Sequence, residues 1–305
     1  MDVRVYSLEE LEDHIQASES EANLVSPLSP LRLHSYLNNP RANSGDPVLY
    51  ELRIKDKLVA YRSLLPDTFR DKQGNTRPFA WLSGNWVDPA HRRQGYSTRL
   101  LQEAESRWEG RLMYTNYAPA SKAVYDRTGN FPLLTERKGK RFYLRAAAEE
   151  LLGDRLGGRG LLRIGDQVLN RLREKKQQQF KEVHPELCQI EKVTSLDAKW
   201  KELMDHFQKE SLFGRDAEVF EWILTYPWLT VSPVPPLNYH FSYLARQFEN
   251  IWLSFSLPDQ SKGFLWLLVH NQALSVPYVF SESEQCFSHM ARTLVQYMIS
   301  RNLSL

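Results

Sequence analysis

The sequence predicts an α/β protein: a mixed, twisted sheet flanked by helices, built twice and joined by a helical connector. Three observations carry that expectation. At 305 residues the chain is long for one core and comfortable for two domains of about 150 residues. Period-two and period-3.6 apolar patterns alternate along residues 1–145. After a charged, glycine-broken stretch, the pattern of the first half begins again near residue 187, as an internal repeat would.

Taken in order, "VRVYSL" (3–8) reads as a strand, and "EELEDHIQASES" (9–20) as a helix whose acidic first turn complements its dipole. A second helix starts at Pro30 and stops before Pro40, because proline keeps its predecessor out of helical geometry. "PVLYELRI" (47–54) and "LVAYRSLLP" (58–66) alternate around the polar "KDK" and read as paired strands. "DTFRDKQGNTR" (67–77) reads as a long polar loop, and "PFAWLSGNWVDP" (78–89) as an apolar-aromatic strand. "TRLLQEAESRWEG" spaces Leu100, Leu101, Ala104 and Trp108 at helical intervals, with Gly110 as its C-cap. A strand (111–117), a short helix (120–129) and a last strand (137–145) complete a first domain over 1–146. Residues 147–186 are helix-prone, glycine-interrupted and charged, a helical connector.

The second unit is expected over 187–305. "IEKVTSL" stands where "VRVYSL" stood, and "AEVFEWILTYP" ends at Pro227 as the earlier helix ends at Pro40. "IWLSFSLPD" matches "VAYRSLLPD", aligning Leu257-Pro258-Asp259 with Leu65-Pro66-Asp67, and "GFLWLL" matches "PFAWLS", aligning Trp266 with Trp81. The repeat is unequal where strand meets helix. The first half has "DPAHRRQGYSTRLL"; the second has "SVPYVFSESEQCFSHMARTL", with Glu282 and Glu284 and neither glycine nor arginine in the turn. The second unit is therefore expected to be degenerate or incomplete. Trp222, Trp228, Trp252 and Trp266 read as core or cleft aromatics.

A net charge of +2 is weak for a duplex-binding protein and disfavours nucleic acid as the main partner. Cys188 and Cys286 stand far apart, with neither zinc-ligand spacing nor a disulfide framework, so no metal is expected. No apolar run approaches the roughly 20 residues that span a bilayer, and "MDVRVYSLEELED" lacks an apolar signal core. No membrane partner and a cytoplasmic location are the expectation.

The joint between strand and helix, "RRQGYS", carries the chemistry. A helix N-terminus offers unsatisfied N–H groups and the positive end of a dipole, which together suit an anion. Gly95 allows close backbone approach and dihedrals closed to other residues. Ser97 and Thr98 are good N-cap residues, and Arg92 and Arg93 add charge at the same mouth.

"VDPAHRRQGYSTRLL" is similar to the acyl-CoA signature of the GNAT acyltransferase superfamily, V-x-P-x-x-R-x-x-G-x-G/A. Val87, Pro89, Arg92 and Gly95 match it, and Ser97 takes the last small-residue place. The resemblance runs over about residues 1–145 and implies a GNAT-like fold with acetyl-CoA, or another acyl-CoA, as co-substrate. It implies that backbone around Asn85 to Val87, with Trp86 between them, pairs with the pantetheine arm. The amides from Arg93 through Gln94, Gly95, Tyr96 and Ser97 to Thr98 would wrap the pyrophosphate, with Arg92 beside them. Downstream, "SKAVYDRTGNFP" is similar to the family's A-x-x-x-Y-x-x-x-G-F segment. Tyr125 falls where the family places the acid that protonates the departing CoA thiolate. Two departures stand out. Asn130 is inserted between Gly129 and Phe131, and Ala118 replaces the asparagine often found seven residues before the tyrosine, with Asn116 nearby as a candidate.

The implied reaction is N-acyl transfer: direct attack of an amine on the thioester, both substrates held together. The resemblance leaves the general base unassigned. "AWLSGNWVD" offers only Asp88, while Asp67 and Glu51 read first as solvated surface carboxylates, and His91 as a solvated or phosphate-side loop histidine. With no base in hand, a non-catalytic acyl-CoA-binding sensor or scaffold is the rival reading. The acceptor is unspecified.

Overall fold

The structure, a computed structural model, describes residues 2–19, 25–115, 119–136, 142–149, 152, 158–177, 188–209, 211–231, 237–271, 273–301 and 303. The candidate Asn116 lies outside them. The chain divides into two compact units: Met1–Glu136 with Leu196–Leu244, and Arg137–Ser195 with Ala245–Leu305. The units do not follow chain order, for segment 196–244 comes after the connector yet packs with the first unit. No helix among the described residues is long and apolar enough to cross a membrane.

The first unit begins with β1 (Asp2–Ser7), α1 (Leu8–Glu19), α2 (Pro30–Leu37), β2 (Pro47–Ile54), β3 (Lys57–Arg70) and β4 (Thr76–Val87). It continues with α3 (Tyr96–Arg107), β5 (Leu112–Met113) and α4 (Pro119–Thr128). The strands form one sheet in sequence order, antiparallel from β1 to β4, with β5 parallel to β4. Period-two alternation sends opposite side chains to two cores. One face packs Tyr50, Leu52, Val59, Ala60 and Leu64 against Leu100, Leu101, Ala104 and Trp108 of α3. The other packs Leu49, Tyr61 and Trp86 against Leu11 and Ile15 of α1 and Leu33 and Tyr36 of α2.

Two expectations for this sheet are corrected. The polar stretch 67–77 is mostly strand: pairing continues from Asp67↔Phe79 to Arg70↔Thr76, leaving 71–75 as the turn. Phe69 and Phe79 meet edge-on across it, 5.8 Å between ring centroids, and that packing outweighs the polar composition. Of the strand expected over 111–117, residues 116 and 117 lie outside the described residues, and among the others only Leu112 and Met113 pair. The strand expected over 137–145 falls partly outside the described residues, and residues 142–145 form none.

The connector contains α5 (Arg159–Gln177), and β6 (Gln189–Val193) follows. Helices α6 (Ala198–Gln208) and α7 (Ala217–Thr225) and short strands β7 (Thr230–Val231) and β8 (Leu244–Ala245) precede β9 (Phe248–Ser256), β10 (Lys262–His270), β11 (Ala273–Ser281) and α8 (Glu284–Ser300). The second sheet has the antiparallel order β6-β9-β10-β11 and then α8, the same succession as β1-β2-β3-β4 and then α3. By position β9, β10 and β11 answer to β2, β3 and β4. The local matches of 251–259 with 59–67 and of 263–268 with 78–83 are therefore one strand out of step, because apolar alternation looks alike in neighbouring strands. The joint before α8 also differs from that before α3: Ser283 caps α8 by accepting from Cys286 N–H at 3.1 Å.

Candidate functional site

Strand β4 changes character midway. Its pairing passes from Leu64↔Leu82 to Ser63↔Gly84, which leaves Ser83 as one extra residue, a β-bulge. Ser83 accepts from Arg32 of α2 at 3.4 Å, while a Cβ on Gly84 would lie 2.5 Å from Ser63 Oγ and 3.5 Å from the Phe241 ring. Beyond the bulge Asn85 turns to α3, Trp86 joins the core under α2, and Val87 returns to the core under α3. On its far edge β4 pairs with β5 only at Ala80↔Leu112 and Trp81↔Met113. From Leu82 to the loop no strand among the described residues pairs with that edge.

At the loop Asp88 accepts from Ala90 N–H at 2.8 Å and opens a single 3-10 turn, Pro89–His91. That backbone bond, with Lys57 and His91 nearby, holds the Asp88 carboxyl below the usual carboxylate range. Arg92, Arg93, Gln94 and Gly95 are exposed, with φ of 63° at Arg93 and 80° at Gly95. Gly95 is itself the N-cap of α3, and no side chain caps the helix. This corrects the expected capping role of Ser97 and Thr98, which stand inside the first turn. The Ser97 hydroxyl is used otherwise, donating to Asn85 Oδ1 at 3.1 Å. Tyr96 is buried, and its hydroxyl donates to Gln94 Oε1 at 2.7 Å, so both side chains brace the loop from behind. The first-turn amides of Tyr96, Ser97 and Thr98, which have no acceptor within the helix, are left at its mouth.

Tyr125 of α4 is buried in the core under α3, its ring stacked on Tyr114 at 4.4 Å and 5.3 Å from Phe131. Sequence reasoning missed its neighbour, Arg62 of β3. This guanidinium is only 1% exposed; Nη2 donates to Asn85 Oδ1 (3.2 Å) and Ser97 Oγ (3.3 Å), and Cζ sits 5.9 Å from the Tyr125 ring. Its Nε and Nη1 are buried without a partner. The signal was legible: in "LVAYRSLLP" an arginine occupies an inward position between Ala60 and Leu64.

The three carboxylates weighed as bases are all engaged. Glu51 is fully buried and not solvated, bonded to His14 Nε2 at 2.9 Å and Arg53 Nε at 2.8 Å. Asp67 is buried too, held by Arg41 Nη1 (2.8 Å) and Trp81 Nε1 (2.7 Å). Asp88 caps the 3-10 turn. Near the loop His91 is half-buried, with Nδ1 3.7 Å from Asp88 Oδ1. A cleft of about 870 Å³, lined in part by Arg41, Arg70, His206 and Asp216, lies at the hairpin end of β3 and β4, far along the strands from Gly95.

Residues 8–129 match the family model described as Acetyltransferase (GNAT) family. Those residues are a GNAT acetyltransferase domain. Proteins of the GNAT family transfer an acyl group from acyl-CoA. No curated protein matches the sequence. Among solved structures, a conserved protein of Enterococcus faecalis V583 described as "Probable N-Acyltransferase" is 12% identical, with a TM-score of 0.51 over 98% of this chain and 63% of that one. A GCN5-related N-acetyltransferase from Kribbella flavida is 17% identical, with a TM-score of 0.47 over 99% of this chain and 62% of that one. The ribosomal-protein-alanine N-acetyltransferase of Brucella melitensis biovar Abortus 2308 is 15% identical, with a TM-score of 0.31 over 47% of this chain and 100% of that one. The chain thus spans less than two thirds of the two proteins that match it nearly end to end.

Proposed function

We propose that the chain moves an acetyl or other acyl group from acyl-CoA to an amine by direct attack within a ternary complex. The observation that carries this reading is the uncapped N-terminus of α3, opened by Gly95 in left-handed geometry beside a stretch of β4 whose far edge is unpaired among the described residues. The pantetheine arm would pair with β4 backbone at Trp86 and Val87. The pyrophosphate would take the amides from Arg93 to Thr98, with Arg92 and Arg93 adding charge. Charge-assisted hydrogen bonds of about 1.5–3 kcal/mol each suffice, in threes or fours, to hold it.

In the transfer step the amine nitrogen bonds to the thioester carbon, and the carbon–sulfur bond breaks. The departing thiolate takes its proton from the Tyr125 hydroxyl, which solvent reprotonates. Orientation supplies much of the acceleration, and a strand amide near Trp86 stabilises the developing oxyanion. The proton released by the amine leaves through water, since Glu51, Asp67 and Asp88 are all committed to structural bonds.

That commitment also favours a second reading, an acyl-CoA-binding sensor without turnover. Calorimetric titration of acetyl-CoA into wild type and Gly95→Glu, followed by an amine-library assay with mass detection, decides. The transfer reading expects binding by wild type, its loss in Gly95→Glu where a carboxylate opposes the pyrophosphate, and an acylated amine. Unchanged binding in the variant overturns the site; binding with no product on any amine leaves the sensor.

A further inference from the structure

The sheet face under α2 carries a group of buried polar atoms that the transfer step does not use. The Arg32 guanidinium of α2 lies 4.1 Å over the Trp228 ring and 5.7 Å from Phe241, with Nη1 donating to Ser83 Oγ at the β4 bulge. Its Nε is buried without a partner, and no carboxylate pairs with it among the described residues. Around it stand the hydroxyls of Tyr61 and Tyr239 and the indole N–H of Trp86, buried with no hydrogen-bond partner among the described residues, and the buried hydroxyls of Tyr36 and Ser63, whose nearest polar neighbours are each other and Ser83. Tyr36, Tyr61 and Ser63 are fully buried and Trp86 is 8% exposed. These groups come from α2, β3, β4 and residues 237–243, all in the first unit.

Native interiors keep few unsatisfied polar groups, and each asks for a reason. Here one cation and several neutral donors face one another from four pieces of chain. Burial pushes all three phenols above their ordinary range, so they remain donors and do not act as bases. A guanidinium fork recognises a carboxylate or a phosphate. With one cation in the group, a single negative charge is balanced, whereas a phosphate dianion would keep excess charge out of water.

We propose that this cluster is the acceptor site and that the acceptor is an amine carrying a carboxylate, which Arg32 holds. The inference rests on the transfer reading above. Arg32 meets β4 at Ser83, and the edge that would hold the thioester runs through Gly84 and Asn85. One residue of strand spans about 3.3 Å, on the scale of the separation of carboxylate and amine in α- and β-amino acids. Residues 237–243 wall the site without regular secondary structure, held by Ser26 N–H donating to Asn238 O at 2.9 Å. An acceptor enters there past the rings of His240 and Phe241, which cover Trp86 and Tyr61.

The test is calorimetry in the presence of CoA, titrating the twenty standard α-amino acids, β-alanine and their primary amides, with parallel acetylation assays by mass detection. At least one free acid is expected to bind, with its amide tenfold weaker or more. Arg32→Gln should bring the acid down to the level of the amide while acetyl-CoA affinity stays within twofold; Arg32→Lys, which keeps charge but loses the fork, should fall between. Acids and amides that bind alike, or none that bind, overturn the proposal, and this wild-type comparison stands even if a variant fails to fold. The two readings separate cleanly. Carboxylate-dependent binding without acetylation sinks transfer and leaves the site, whereas acetylation of amines lacking a carboxylate does the reverse.

Discussion

Arg62 and Asn85 face each other across β3 and β4, and the guanidinium Nη2 reaches the Asn85 amide oxygen at 3.2 Å, with no carboxylate among the described residues paired to balance its charge. A buried, unpaired charge is expensive, and replacing such a group with an apolar side chain of similar length is often neutral or stabilising. Arg62→Met should therefore melt at the wild-type temperature or above it. Its acetyl-CoA affinity should nevertheless fall tenfold or more, because the guanidinium ties the end of β4 to the first turn of α3. Scanning calorimetry and titration on the same sample check both halves, and unchanged affinity would reduce Arg62 to a packing oddity.

Tyr125 stacks on Tyr114 at 4.4 Å through its ring, so the hydroxyl can be removed without disturbing the core. Tyr125→Phe should keep wild-type stability and acetyl-CoA affinity while kcat falls by about 10²-fold, the scale of a lost general acid. A kcat within twofold of wild type in a steady-state thiol-release assay would remove the tyrosine from the mechanism.

The bulge in β4 depends on a close approach at Gly84, where an added Cβ would stand 2.5 Å from Ser63 Oγ. Gly84→Ala should cost about 1–3 kcal/mol as local overpacking. Adding Ser63→Ala should restore most of that loss, since it removes the clashing atom, and a double-mutant cycle in denaturant reads the coupling directly. Additive effects would show that the strain lies elsewhere.

Much of the first unit was legible in its residues. Leu100, Leu101, Ala104 and Trp108 announced α3 by their spacing, and the run from Pro47 to Ile54 announced β2 with its bounds. The loop around Gly95 was legible because its unusual backbone demands a particular residue. What stayed hidden depends on long-range contacts. Asp67 looked like a surface residue because Arg41 and Trp81, which bury and satisfy it, lie 26 and 14 positions away. The packing of Trp222 and Trp228 on Ser35, 187 and 193 positions away, leaves no periodic trace either. Nor could alternation alone say which strand of the second sheet answers to which strand of the first.

The tyrosines under α2 give the last expectation, and its sign follows from burial. Desolvation raises the Tyr61 and Tyr36 phenols above their ordinary value and pushes Tyr239 up to about 12. In the unfolded chain each ionises near pH 10. Below about pH 10 both states hold these protons and the stability is fully present. Above it the unfolded chain loses protons that the folded one keeps, so stability falls as pH rises, by up to about 1.4 kcal/mol per pH unit for each group. Urea unfolding between about pH 9 and 11.5 should show this decline, with absorbance at the tyrosinate band lagging behind that of free tyrosine. Tyr61→Phe should make the slope shallower by one group's share. An unchanged slope would mean that the Tyr61 hydroxyl reaches water, and the cluster around Arg32 would lose one of the donors that define it.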